Sequence, residues 1–194
     1  MHAGSDTATG ELVGLPRGKL GVWWFLASEV MVFGGLIGCY ILARFAAGGW
    51  EAEAAHVNTR VGAINTLILV TSSLTIVEAF AAVEMGRRQR AAAFLLASGL
   101  LGCTFLGIKA YEYTTEISHG FLPWTGPFWS FYYTMTGLHG LHVIGGIAIN
   151  LGLFAMAAVG RNWDRVSHRV ELAGLYWHFV DVVWIFLFPL LYLS

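Results

Sequence analysis

Two carboxylates and three histidines stand where the chain is otherwise apolar. Glu29 lies inside the run LGVWWFLASEVMVFGGLIG, and Asp181 lies inside YWHFVDVVWIF. A charge near the centre of a bilayer is costly, so each acid is a functional candidate by default. A carboxyl in a dry setting can keep its proton and donate a hydrogen bond, clamping two helices, or it can exchange that proton. Val30, Met31, Val32 and Phe33 offer Glu29 no partner, so any partner must come from another helix. Histidine adds a second group. His139 and His142 are three residues apart, close to one face of a helix, and His178 precedes Asp181 by three. Imidazoles on facing helices, such as His142 and His178, are what bis-histidine haem ligation requires. No CxxCH string or further soft ligand accompanies them. The plainer reading has neutral imidazoles bonding to Glu29, Asp181 or backbone carbonyls. Glu78 is a third acid, within reach of the headgroups. Lys109 and Glu112 sit where a third helix should end and can extend toward water.

These residues need helices to position them. Five stretches have the roughly 20 residues that cross a hydrocarbon core: 20–43, 61–83, 91–111, 130–158 and 171–193. The fourth sits within an apolar run, 128–159, about ten residues longer than a span needs, so it should tilt or begin in the interface. The expected fold is all-α, a polytopic membrane bundle of five transmembrane helices, preceded by an N-terminal segment at 1–19. That segment is polar, and the run after it is too long for a cleavable signal, so the first helix should be retained.

Composition agrees. Of 194 residues, 57% are hydrophobic and 12% charged, about half the charged share of a soluble domain. A net charge of −1 offers nucleic acid no basic face. Eight of the eleven Lys and Arg fall in the N-terminal segment and in the second-to-third and fourth-to-fifth loops. These share one side, which places the N-terminus in the cytoplasm and the C-terminus outside. Cys39 and Cys103 are expected as buried, unpaired thiols. Gly34 and Gly38 form a GxxxG pair, and Gly137, Gly140, Gly145 and Gly146 thin the fourth helix for close packing. Trp23, Trp24, Trp129 and Tyr192 fit interfacial belts. There is no Walker-type glycine loop, HExxH or GxSxG string, so no catalytic residue and no metal ligand is assigned. A proton-coupled transporter using Glu29 and Asp181 should show internal repeats and broken helices. Neither is visible, and Pro189 comes only near the end of the last helix.

Five strings carry a family resemblance: WFLASEVMVFGG (24–35), INTLILVTSS (64–73), KAYEY (109–113), YYTMTGLHGLHVIGG (132–146) and YWHFVDVVW (176–184). With these the chain resembles subunit III of the haem-copper respiratory oxidases, the cytochrome c oxidase subunit 3 family. Longer members have seven helices, two of them set apart by a lipid-filled cleft, and this chain resembles the five-helix bacterial form. The resemblance implies a non-redox subunit of a proton-pumping terminal oxidase that reduces oxygen to water. It would pack in the bacterial inner membrane beside subunit I, and subunit II, with haems and copper held by those partners and none by this chain. It implies support of proton uptake and of stability during turnover, with Glu29 as the family's membrane-buried acid. Glu112, His142, His178 and Asp181 match further family positions. Phospholipid is expected near the first-helix aromatics, and Trp23, Trp24, Glu112, Trp177 and Glu171 are the candidates for lipid or interface contact. Related subunits serve quinol oxidases and nitric oxide reductases, and the LFPLLYL string at 187–193 is similar to the latter.

Overall fold

The structure, a computed structural model, describes residues 17–160 and 163–193. The expected N-terminal segment therefore lies almost wholly outside the described residues, as does Arg161. Among the described residues there are five long helices and one short turn of helix: α1 (Arg17–Ala47), α2 (Glu51–Ala54), α3 (Thr59–Glu84), α4 (Arg88–Ser118), α5 (Pro127–Val159) and α6 (Trp163–Tyr192). The five long ones are apolar enough to cross a membrane, and no strand occurs among the described residues. Most run past the hydrophobic spans at one or both ends, because backbone bonding continues into the interface after the apolar run stops. The largest such difference on the side opposite the N-terminus is at α4. It continues to Ser118, seven residues beyond the expected end at 111, and this decides the fate of Lys109 and Glu112.

Local chemistry ends each helix. Asn58 accepts from the backbone N–H groups of Arg60 and Val61 at 3.1 and 3.2 Å and so starts α3. Pro127 occupies the first turn of α5, where its missing N–H costs nothing, and Gly160 closes that helix with φ +74°. The Arg88 guanidinium donates to the carbonyls of Ala157 and Ala158, in the last turn of α5. At the end of α6, Tyr40 donates to the Leu190 carbonyl at 2.7 Å and Thr59 to the Tyr192 carbonyl at 3.1 Å. Side chains of α1 and α3 thereby satisfy groups that lipid could not.

Helices α3, α4, α5 and α6 pack as a ring, α3 on α4, α4 on α5, α5 on α6 and α6 on α3. Leu69, Phe105, Met135, Trp177 and Trp184 fill its interior. Helix α1 lies outside the ring against α5 and α6, touching it with a narrow stripe of Leu26, Phe33 and Tyr40. Two glycines make room for one indole. A Cβ on Gly146 would sit 2.5 Å from the Trp177 ring, and one on Gly102 would sit 2.9 Å from it. The Gly34/Gly38 pair does not pack the chain, since nothing lies within 4 Å of a Cβ at either position. Both fall on the side of α1 turned away from the ring. Cys39 and Cys103 also correct an expectation: both are free and exposed on the bundle surface, because apolar runs that face lipid look the same as runs that face a core.

Candidate functional site

Glu29 finds its partner on α5. Its Oε2 lies 3.0 Å from His142 Nε2, with both side chains mostly enclosed. Phe25 and Phe33, one turn either side of Glu29, pack on the same imidazole with ring centroids 6.5 and 5.4 Å away. His142 Nδ1 lies 2.8 Å from the Leu138 carbonyl. A carbonyl only accepts, so Nδ1 carries a proton and donates it. With Nδ1 engaged, Nε2 is the nitrogen that meets Glu29, and one proton between Nε2 and Oε2 would make this contact a hydrogen bond. Held that way, carboxylic acid with imidazole and carboxylate with imidazolium are the two arrangements of one shared proton, and neither carries a net charge.

A second polar knot joins α4, α5 and α6. Lys109 Nζ donates to Glu112 Oε2 at 3.3 Å, to Tyr132 at 3.0 Å and to Tyr192 at 2.7 Å. Glu112 Oε1 accepts from both tyrosine hydroxyls at 2.6 Å. The ammonium also lies over the rings of Tyr113, Tyr132, Trp184 and Tyr192, at 4.8 to 5.6 Å from their centroids. Lys109 and Glu112 are buried, so the expectation that they extend to water from a helix end is corrected. The extra two turns of α4 carry them inside the bundle. Glu112 is likewise no lipid contact. Tyr192 and Trp129, expected in interfacial belts, are buried, Tyr192 on this knot and Trp129 stacked on Phe121 at 4.5 Å. Nothing in the sequence reveals the aromatic cage, although Lys and Glu at i and i+3 in KAYEY signal the ion pair.

The remaining candidates scatter. His178 Nδ1 lies 2.6 Å from Ser73 Oγ on α3. Asp181 shares Ser73 as a neighbour, but the hydroxyl's close bond goes to His178, and neither carboxyl oxygen has a well-formed bond among the described residues. His139 is fully enclosed between the Phe105 and Trp184 rings, and neither nitrogen has a hydrogen-bond partner among the described residues. The described imidazoles thus occupy separate settings. Among the described residues no group of three or more His, Cys, Asp or Glu is arranged to hold a metal ion. Glu78 is exposed on α3. Glu171 pairs with Lys19 at 2.5 Å, tying the start of α1 to α6. Trp23 and Trp24 are 59% and 77% exposed on α1, whereas Trp177, also a candidate for lipid or interface contact, is buried. Its indole N–H reaches Ser72 Oγ at 3.0 Å, because the ring fills the space left by Gly102 and Gly146. Outside the spans, Glu51 has its carboxyl held below the usual range by a backbone N–H of its own turn and by Arg44 at 3.2 Å.

One groove adjoins the Glu29–His142 pair. A space of about 630 Å³ opens between α1, α5 and α6, lined by Phe25, Ile149, Met156, Leu172 and Tyr176 with Arg169 among them. Its lining is mostly apolar, with that guanidinium its charged group.

These features define a polytopic helical membrane protein whose described polar residues lie in separate settings within the bundle. The family model for cytochrome c oxidase subunit III matches residues 12–194, and the chain belongs to that family. It is similar to cytochrome c oxidase subunit 3 of Thermostichus vulcanus, 39% identical over 175 residues that cover 90% of this chain and 86% of the relative. It is also similar to the probable cytochrome c oxidase subunit 3 of Mycobacterium bovis, 35% identical over 88% of this chain and 84% of the relative. The subunit 3 of Alkalihalophilus pseudofirmus is 33% identical over 90% of this chain and 85% of its own length. The chain is accordingly a multi-pass membrane subunit of an oxidoreductase complex.

Proposed function

We propose that this chain is the non-redox subunit III of a proton-pumping haem-copper terminal oxidase, supporting proton uptake into subunit I and the durability of that subunit during turnover. Subunits I and II are its partners and hold the haems and copper, where oxygen is reduced to water. The relatives' names support cytochrome c as electron donor, in preference to a quinol oxidase or a nitric oxide reductase. The basic loops on one side support a bacterial inner-membrane orientation with the N-terminus in the cytoplasm.

The observation that carries the reading is the Glu29–His142 pair. Its 3.0 Å contact between α1 and α5 is suited to sharing one proton without net charge, the property a subunit needs to assist proton movement without redox chemistry. The groove beside it supports lipid binding, since acyl chains fit its apolar walls and Arg169 suits an anionic headgroup. Glu29→Gln keeps a hydrogen-bond donor toward Nε2 but cannot ionise. In the purified oxidase it should leave assembly and the partner's haem spectrum intact while slowing proton uptake or shortening the number of turnovers before inactivation. Unchanged uptake and lifetime would remove the proton-related role, and loss of assembly would make Glu29 a helix clamp only.

A further inference from the structure

Tyrosine hydroxyls in the bundle meet two kinds of acceptor. Tyr40, Tyr133 and Tyr176 donate to the carbonyls of Leu190, Phe121 and His142, at 2.7, 2.8 and 2.9 Å. Tyr132 and Tyr192 instead donate to one oxygen of a side chain, Glu112 Oε1, each at 2.6 Å. Glu112 Oε2 accepts from Lys109, so both oxygens accept, as a carboxylate does. The difference is chemical. A carbonyl holds a hydrogen bond only, whereas a carboxylate can take the proton outright.

Loss of one electron turns a phenol into a ring cation whose hydroxyl is strongly acidic. A cation is costly in an apolar interior. The Lys109 ammonium, 4.8 and 5.4 Å from the Tyr132 and Tyr192 ring centroids, opposes it further. A proton passed at once to Glu112 avoids that cation and leaves a neutral tyrosyl radical. The carbonyl-bonded tyrosines have no such outlet. The proton also has a way onward. Glu116 follows Glu112 by one turn of α4 and is buried, with Oε2 unpartnered among the described residues. His56 and His119, both exposed, are its neighbours toward the surface. Rings lead the same way. Tyr132 lies 6.3 Å from Tyr192 and 5.2 Å from half-buried Tyr133, centroid to centroid.

We propose that Tyr132 and Tyr192, with Glu112 as proton acceptor, are a site of reversible one-electron oxidation. The oxidant is an oxygen-derived radical such as hydroxyl, which is reduced to hydroxide as it takes the electron. The phenol O–H bond breaks, an O–H bond forms on Glu112, and the radical rests on the tyrosine. A small reductant of the thiol or ascorbate class returns the electron, and the proton goes back to the phenol oxygen. Such a site intercepts stray oxidising equivalents and takes no part in the electron flow to oxygen. The source of the oxidant rests on the proposed place of the chain in an oxygen-reducing complex, and the site itself does not.

The test oxidises the full-length chain in detergent with a ruthenium tris-bipyridyl photo-oxidant and persulfate, then reads the trapped radical by electron paramagnetic resonance. A fluorinated tyrosine in place of Tyr132 or Tyr192 keeps the hydroxyl and should split the signal. The same label in place of Tyr176 should not. Lys109→Met combined with Glu112→Leu removes the proton acceptor without stranding a buried charge, and should lower the radical yield several-fold. Absence of a radical, splitting from position 176 alone, or an unchanged yield without Glu112 would overturn the site. In the purified oxidase at turnover, Tyr132→Phe combined with Tyr192→Phe should raise the number of oxidised side chains that mass spectrometry finds in the companion chains. No rise would overturn the interception and leave the subunit reading standing. Failure to find any oxygen-consuming companion would overturn the subunit reading and leave the radical site standing.

Discussion

The ammonium of Lys109 and the carboxylate of Glu112 form a buried ion pair, 3.3 Å apart, in which two tyrosines complete the bonding of both groups. Such a pair contributes little stability when compared with an apolar replacement, but losing one member leaves a charge without a counterpart, at roughly 3–5 kcal/mol. Lys109→Met should therefore lower the detergent-solubilised chain's unfolding midpoint sharply. Lys109→Met combined with Glu112→Leu should recover much of the loss. Thermal unfolding of the three chains decides it, and a neutral Lys109→Met would mean that the ammonium reaches water.

Glu29 and His142 invite a different measurement, because their bond is the mid-depth tie between α1 and the ring. A double-mutant cycle with Glu29→Ala and His142→Ala should return a coupling of about 0.5–2 kcal/mol, the range of hydrogen bonds between membrane helices. Unfolding in mixed micelles supplies the four free energies. Additive effects would show that the two side chains are neighbours without an energetic link, and α1 would then be held by its Leu26, Phe33 and Tyr40 stripe and by the Lys19–Glu171 pair.

The glycines separate into two kinds that residue type does not distinguish. Gly146→Ala would drive a methyl group into the Trp177 ring and Gly102→Ala would crowd the same ring, so each should destabilise the chain by about 1–3 kcal/mol. Gly34→Ala and Gly38→Ala meet open space and should leave the isolated chain unchanged or slightly stabilised, since alanine favours the helix. Unfolding of the four single variants under one detergent condition checks the contrast.

That contrast marks where the sequence stops being legible. Apolar run length is a one-dimensional property, so the five spans and the all-α class could be read directly, and Glu29's need for a partner on another helix followed from its apolar neighbours. Which face of a helix meets the ring depends on packing in three dimensions. Cys39, Trp177, Trp129 and the Gly34/Gly38 pair were therefore expected on the wrong side. Lys109 and Glu112 were misplaced for a related reason. Hydropathy falls at Tyr111, but the backbone remains helical to Ser118, and tyrosines from α5 and α6 supply there what water would have supplied. The pairing of His178 with Ser73 left no sign in either string, because INTLILVTSS and YWHFVDVVW meet only when α3 and α6 pack.

The groove between α1, α5 and α6 yields the last expectation. Its walls are apolar and Arg169 lies among its lining residues, so an anionic phospholipid would bury its chains against Ile149 and Leu172 and place its headgroup on the guanidinium. Removing the charge and removing the space should then have different consequences. Arg169→Gln should lower the proportion of anionic lipid that co-purifies while leaving total bound lipid nearly constant, a loss on the order of 1 kcal/mol for one basic residue at the surface. Gly152→Trp, on the α5 wall where no atom lies within 4 Å of a Cβ, should displace the chains and lower total bound lipid whatever the headgroup. Native mass spectrometry of the purified oxidase distinguishes the two. Equal lipid content and composition in both variants would show that the groove holds no lipid, and the cavity would then be space that a neighbouring subunit fills.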